Sequence, residues 1–221
     1  ETQLHQFWMA RIQELLRFRY RNQQVLIASD LLMYFVEGDP RTFLVPDVFL
    51  VKDCDPGFRN TFQIWREQRV PNVIFEVTSK STRRKDQEVK PKTYAEIGVN
   101  ELILFDPTSD YLEPPLQLFR RVGSEFVRQE ADSEGRLNSE ELDVILFLEG
   151  DQLVLLDRQS HRPLPTEAEA EFERAEAEAT RAEAETERAE AEARRAEVEA
   201  KRAEVEAKRA EVEAKRAEVE A

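Results

Sequence analysis

Two acidic residues sit where apolar strand residues are expected. Glu76 interrupts "NVIFEVTSK" (72–80), and Asp47 lies inside "LVPDVFLV" (44–51). A carboxylate moved from water into an apolar interior costs several kcal/mol unless it is paired, protonated or bound to a metal. Strand-borne acids that converge at one end of a sheet can share a divalent cation, whose charge offsets their desolvation. A bound Mg²⁺ or Mn²⁺ lowers the pKa of a water and neutralises charge on a phosphate. A nearby lysine would orient that water or stabilise developing negative charge; Lys80, Lys85, Lys90 and Lys92 are the candidates. From the residues alone a second reading stands equal. Glu76 would pair with a buried Arg or Lys, and Asp47 would follow Pro46 in a turn.

The elements that must position these residues follow from periodicity. "LHQFWMARIQELLRFRY" has apolar residues at Leu4, Phe7, Trp8, Ile12, Leu15, Leu16 and Phe18, the three-and-four spacing of an amphipathic helix. "QVLIASDLLMYFVEGDP" reads as one or two extended segments ending in a turn. "TFLVPDVFLV" reads as a strand pair or one strand bent at Pro46. Residues 53–70 look irregular, with a turn at Asp55-Pro56-Gly57 and a short helical piece around Phe62–Arg66. The strand at 72–79 precedes a helix in the later part of "STRRKDQEVKPKTYAEIGV", stopped by Gly98. "ELILFDPTSD" is a buried strand, "LQLFRRVGSEFVRQEAD" a hairpin, and "LDVILFLEGDQLVLLDRQS" a final strand or two. A helix, strands, a helix and more strands predict an α/β fold with a mixed sheet.

Beyond Pro165 the composition changes. Residues 166–221 hold 19 acidic and 11 basic residues in heptads such as "KRAEVEA", leaving a net charge of −6 for residues 1–165 out of −14 overall. This divides the chain into a domain at 1–165 and a long charged helix at 166–221. Phe172, Ala175, Ala179, Ala182, Thr186 and their successors form an a/d seam made mainly of alanine. Such a seam buries little area, so a weak coiled coil and a solitary solvated helix both remain open. Glu197 with Lys201, Glu204 with Lys208 and Glu211 with Lys215 form favourable i,i+4 pairs.

A pI near 4.8 opposes nonspecific affinity for nucleic acid, so any such activity needs local basic patches or metal ions. The single cysteine, Cys54, cannot form an intrachain disulfide, which fits a reducing cytoplasm; it reads as a packing residue rather than a nucleophile. No signal peptide and no apolar run of about 18 residues is evident, so a soluble chain is expected. A start at Glu1 and a stop inside a repeat suggest a fragment.

Several motifs together carry a resemblance. Pro46-Asp47, Glu76-Val77-Thr78-Ser79, Ser81-Thr82-Arg83-Arg84 and the run Asp86, Lys90, Tyr94-Ala95, Gly98-Val99 resemble the Uma-two family. That family belongs to the PD-(D/E)XK restriction-endonuclease-like superfamily. "ELILFDPTSDYLEPPLQLFR" continues the likeness, as does the Ala/Glu/Arg-rich C-terminal helix, and the resemblance covers about residues 1–160. It implies a restriction-endonuclease-like mixed β-sheet flanked by helices. It also implies a Mg²⁺- or Mn²⁺-dependent endonuclease acting on DNA. Asp47 and Glu76 would be metal ligands, with the Val77 carbonyl as a third. The superfamily pattern puts its lysine two residues after the second acid, where this chain has Thr78. Uma-two relatives supply it from the following helix, which here matches Lys90. Pro91 is tolerated if it lies in the first helical turn, which would place Lys90 at the helix entry, near a positive dipole end.

Arg83, Arg84 and Lys85 are candidates for contacting DNA phosphates, against the alternative of a solvated charged face. Glu14 is the candidate for an extra helix acid, against an exposed surface glutamate, and His5 and His161 are given no role. Paired cuts would call for a homodimer or homo-oligomer, and no membrane partner is expected. The competing expectation is a noncatalytic nuclease-like scaffold assembling through its C-terminal helix. The acidic balance and Thr78 favour that rival, whereas two strand acids accompanied by a lysine favour the enzyme.

Overall fold

The computed structural model describes residues 2–80 and 85–219. The chain folds as two units, Glu1–Glu167 and Ala168–Ala221.

The first unit opens with helix α1 (Gln3–Arg19), capped by Thr2, whose hydroxyl accepts the His5 N–H. Its buried residues are His5, Trp8, Met9, Ile12, Leu15 and Leu16. Leu4 and Phe7, expected on the apolar face, lie outside that stripe and are 41% and 51% exposed. Strands β1 (Val25–Ser29), β2 (Met33–Tyr34) and β3 (Phe43–Leu44) follow. Pro46 separates β3 from β4 (Val48–Lys52), since it has no N–H to continue a ladder. Then come β5 (Phe62–Gln63), the short α2 (Ile64–Glu67) and β6 (Val73–Val77).

A π-helical turn at Lys85–Val89 runs directly into α3 (Lys90–Ile97). Pro91, without an N–H, cannot complete the ordinary ladder, and the wider turn lies just before that break. Pro91 thus sits in the first turn of α3, as its chemistry requires, but the chain is already helical at Val89. Lys90 opens α3 as expected, but helical backbone precedes it, so it does not stand at the positive dipole end. Gly98 closes α3 at φ +100°, a conformation that favours glycine.

The remaining strands are β7 (Glu101–Phe105), β8 (Leu116–Val122), β9 (Glu125–Arg128), β10 (Leu137–Ser139), β11 (Val144–Glu149) and β12 (Gln152–Asp157). Six of the strands form the central sheet in the order β1-β4-β6-β7-β8-β9. Only β6 and β7 are parallel, joined by the crossover through α3, so the sheet is mixed as predicted. Alternation along the strands separates two cores. Val48, Leu50, Val73, Phe75, Val77 and Ile103 pack with α1, whereas Phe49, Val51, Ile74, Leu102 and Leu104 pack with Tyr94 of α3.

β10, β11 and β12 form their own antiparallel sheet, and Leu137, Val144, Leu146, Leu153 and Leu155 join the α1-side core. A second small sheet, β3-β2-β5, draws its last strand from the stretch that reads as irregular in sequence. The protein is thus an α/β fold with a mixed sheet flanked by helices.

The second unit continues helix α4 (Glu167–Val219), 53 residues or about 80 Å of helix. Its seam residues are exposed wherever described, Phe172 at 65% and Val198 at 51%. Lys201 and Lys208 reach Glu197 and Glu204, each at 2.6 Å, as the spacing predicts. No helix among the described residues is long and apolar enough to cross a membrane.

Candidate active site

The site forms at one end of the central sheet, where β4 gives out. β4 pairs with β6 in the register Val48↔Phe75, so continuing it by one residue sets Asp47 opposite Glu76. Asp47 Oδ2 accepts the Val77 N–H at 2.7 Å, and its main-chain oxygen accepts the Asp30 N–H at 3.3 Å. From α1, His5 Nε2 lies 3.5 Å from Asp47 Oδ1, with the two side chains 2% and 14% exposed. The end of β1, β6 and α1 therefore all fix this residue.

Glu76 points to the α3 side and is fully buried. Its Oε2 lies 2.5 Å from Lys90 Nζ, and its Oε1 accepts the Tyr94 hydroxyl at 2.6 Å. Lys90 Nζ also lies 3.0 Å from Oδ1 of the buried Asp86. Asp86, Lys90 and Tyr94 recur every four residues, which brings all three over the end of β6. One ammonium thus answers Glu76 and Asp86 together. Burial, reinforced by the charges of Asp47 and Asp86, pushes Glu76 up to about 8, and Lys90 works against that rise. Burial also opposes the Lys90 ammonium, but Glu76 and Asp86 outweigh it and hold Lys90 above its ordinary value. Tyr94 is raised well above its ordinary value by burial and by Glu76, so it stays a donor.

Thr78, where the superfamily lysine would stand, is 2% exposed, and its hydroxyl has no hydrogen-bond partner among the described residues. Its N–H donates to the Phe105 carbonyl at 2.7 Å. The ammonium near the second acid comes from Lys90 instead.

Among the described residues one ammonium, Lys90, lies against Glu76 and Asp86, with Asp47 nearby, and a divalent cation bound there would add positive charge. All three are hard oxygen donors, and each Glu76 oxygen keeps a second lone pair beyond the bond it makes. Among the described residues no group of three or more His, Cys, Asp or Glu side chains is spaced to hold an ion. Mg²⁺ commonly needs only one or two protein carboxylates, completing its shell with water and substrate phosphate. The donor set therefore fits such an ion in charge and chemistry.

Of the residues singled out by sequence, Asp47 and Val77 are joined by a hydrogen bond and Glu76 and Lys90 by an ion pair. Arg83 and Arg84 lie outside the described residues, and Lys85 opens the π-helical turn. Glu14 is on the exposed face of α1. Three contributors received no role from sequence. Asp86 and Tyr94 were legible in their four-residue spacing from Lys90, whereas nothing local linked His5 to Asp47, 42 positions away.

A family model described as "Uma2: Putative restriction endonuclease" matches residues 2–149. The chain belongs to the Uma2 family. The match spans the central sheet and the whole candidate site and ends within the β11–β12 hairpin. Among solved structures, one titled as a putative nuclease belonging to DUF820 from Anabaena variabilis ATCC 29413 is similar to this Uma2 chain. The TM-score is 0.48 at 13% identity, covering 64% of this chain and 75% of that one. No curated protein matches.

Proposed function

We propose that this Uma2 protein is a divalent-metal-dependent DNA endonuclease that hydrolyses phosphodiester bonds. The observation that carries the reading is Lys90 Nζ, 2.5 Å from the buried Glu76 and 3.0 Å from Asp86, at the sheet end that Asp47 shares. Family membership supports the same class of chemistry. Asp47, Glu76 and the Val77 carbonyl are the residues that would hold Mg²⁺ or Mn²⁺. When bound, such an ion activates water and neutralises phosphate charge.

This chain's own residues supply the rest. Lys90 keeps its proton and offers positive charge to the scissile phosphate during in-line attack. Tyr94 and Asp86 hold the Glu76 carboxylate and the Lys90 ammonium in place, and His5 faces Asp47. Arg83, Arg84 and Lys85 would contact DNA phosphates. Two copies would make paired cuts.

One observation favours a noncatalytic scaffold instead. Both Glu76 oxygens already have protein partners, which is how a purely structural buried ion pair would look. Incubation of plasmid and single-stranded DNA with Mg²⁺ or Mn²⁺, using wild type and Glu76→Ala, separates the two. Cleavage by wild type alone is expected. Absence of both cleavage and metal binding in the wild type would leave the scaffold.

A further inference from the structure

A cavity of about 520 Å³ runs along the outer edge of β1, away from the carboxylates. β1 is the edge strand of the central sheet. Bonds from Cys54 N–H to the Gln24 carbonyl and from Asp30 N–H to the Asp47 carbonyl show that even-numbered residues of this stretch face β4. The main-chain groups of Val25, Ile27 and Ser29 therefore face the groove. Within it the Val25 N–H is taken by the Gln23 carbonyl. A flipped Gln13 amide would accept the Ser29 N–H at 3.3 Å, which leaves the Ile27 N–H as the central outward donor.

The charge of this groove departs from that of the chain. Among the described residues its lining holds Arg17, Arg21 and Arg59 and neither Asp nor Glu, in a protein of net charge −14. Arg59 is tied to Glu67 at 3.3 Å and to the Asp55 carbonyl at 2.8 Å. The charge on offer therefore comes from Arg17 and Arg21, both exposed. A helix C-terminus favours cations by itself, yet Arg19, in the same last turn, is spent on Asp157 while Arg17 lines the groove. Arg21 is held in place by stacking on Phe18, 4.0 Å from the ring centroid. Phe58, on the loop that closes the groove, is 102% exposed, so nothing among the described residues covers its ring.

An arginine-lined groove with a bare aromatic ring at its rim matches a single-stranded nucleic acid: cations follow the phosphates and a base stacks on the ring. Five strand residues give it roughly 17 Å. Its Ser29 end pairs with Val48, the residue next to Asp47, so a strand lying in it is led to the candidate site.

We propose that this groove binds a single-stranded segment of DNA, with Arg17 and Arg21 on its phosphates and Phe58 under a base. The inference rests on the nuclease reading for its substrate, but binding is measured without metal and so is independent of cleavage. The test is fluorescence anisotropy of a labelled single-stranded oligonucleotide with the full chain in EDTA, across a salt series. Arg17→Ala/Arg21→Ala is expected to weaken binding at least tenfold and to reduce the slope of log K against log salt by about 1.4. Phe58→Ala should weaken it about fivefold with the slope unchanged. Arg181→Ala/Arg202→Ala, which removes two charges from α4, should leave affinity within twofold.

No wild-type binding in EDTA, or equal affinity in the Arg17/Arg21 variant, overturns the proposal. So does the rival occupant, the acidic α4 of a second copy. It would appear as a salt-sensitive dimer in sedimentation that the Arg17/Arg21 variant abolishes without changing DNA affinity. If the expected losses of binding appear while no substrate is cleaved with Mg²⁺ or Mn²⁺, the groove stands and the catalytic reading fails.

Discussion

Replacing Lys90 by Met tests the electrostatics of the site directly. The substitution keeps an unbranched side chain but removes the ammonium that lies 2.5 Å from Glu76 and 3.0 Å from Asp86. Lys90 is 13% exposed, Glu76 fully buried and Asp86 1% exposed, so solvent cannot take over the lost partner. Removing one member of a buried ion pair costs about 3–5 kcal/mol, because the other charge stays behind. For a domain of this size each kcal/mol lowers Tm by about 2–4 °C, so a drop of roughly 10 °C is expected at about pH 9, where wild-type Glu76 is ionised.

The deficit must also depend on pH. Glu76 has its folded pKa raised by burial to about 8 from an ordinary 4.5. A raised carboxyl stabilises the fold below its unfolded pKa, and that contribution is lost as pH rises through the folded value. Without Lys90 the folded value rises further, so the variant's extra loss sets in as pH passes about 8, where only the wild type ionises Glu76, and shrinks below it. Urea unfolding followed by the fluorescence of Trp8 and Trp65, neither of which lies in α4, measures this. In a Glu76→Gln background the Lys90→Met penalty should fall to well under half. A penalty below about 1 kcal/mol, or one that is constant with pH or insensitive to Glu76→Gln, would refute the charge-network account.

Other parts of the structure make separate predictions. Tyr94→Phe keeps the buried ring but strips a 2.6 Å donor from Glu76. It should cost about 1–3 kcal/mol in urea unfolding, more at pH 9 than at pH 5, since the ionised carboxylate needs the donor most. Gly98→Ala places a Cβ at φ +100° where no atom lies within 4 Å, so only backbone strain acts. A loss of about 1–2 kcal/mol in thermal unfolding is expected, and an unchanged Tm would contradict the left-handed cap. Arg19→Ala breaks the 2.5 Å pair with Asp157, costing roughly 1.5–3 kcal/mol at neutral pH. Asp157 is held below the usual carboxylate range by Ser160 and Arg19, so its contribution is lost as pH falls. Wild type and variant should therefore draw together only as pH falls below the ordinary carboxylate range.

What the sequence revealed depended on how local the physics was. The nearly continuous apolar run of 73–77 marked a strand buried on both faces, and Glu76 stood out because it broke that run. Pro46 marked the break ahead of β4 because a missing N–H is a property of one residue. The separate β10-β11-β12 sheet was not legible, since alternation marks strands but not which sheet they join. Leu4 and Phe7 looked like core for a similar reason: helical spacing defines a stripe, while the neighbours decide how far it is covered. The π-helical turn before Lys90 shows the limit most plainly. Pro91 announces a disturbance of the ladder, but widening the turn and starting the helix afresh are equally local answers. The groove along β1 escaped the sequence because Arg17, Arg21 and Arg59 come from two distant segments and meet only in the fold.

Lys90 and a divalent cation answer the same deficit of positive charge, and this yields the sharpest test of the metal reading. An ammonium 2.5 Å from Glu76 Oε2 repels any cation seeking that carboxylate, so Lys90 would hold down the affinity of a metal site there. Lys90→Met should therefore bind Mn²⁺ more tightly than wild type even as it loses cleavage. Stability gains follow RT ln(1 + [L]/Kd), so a tenfold tighter site adds about 1.4 kcal/mol at saturating ion. The rise in Tm on adding Mn²⁺ should thus be larger for Lys90→Met than for wild type, by roughly 3–5 °C. Glu76→Gln should show almost no rise, because a neutral amide neither attracts the ion nor needs its charge. Equal rises in all three proteins would place Mn²⁺ elsewhere, and Lys90 would then be the whole of the compensation for the buried acid.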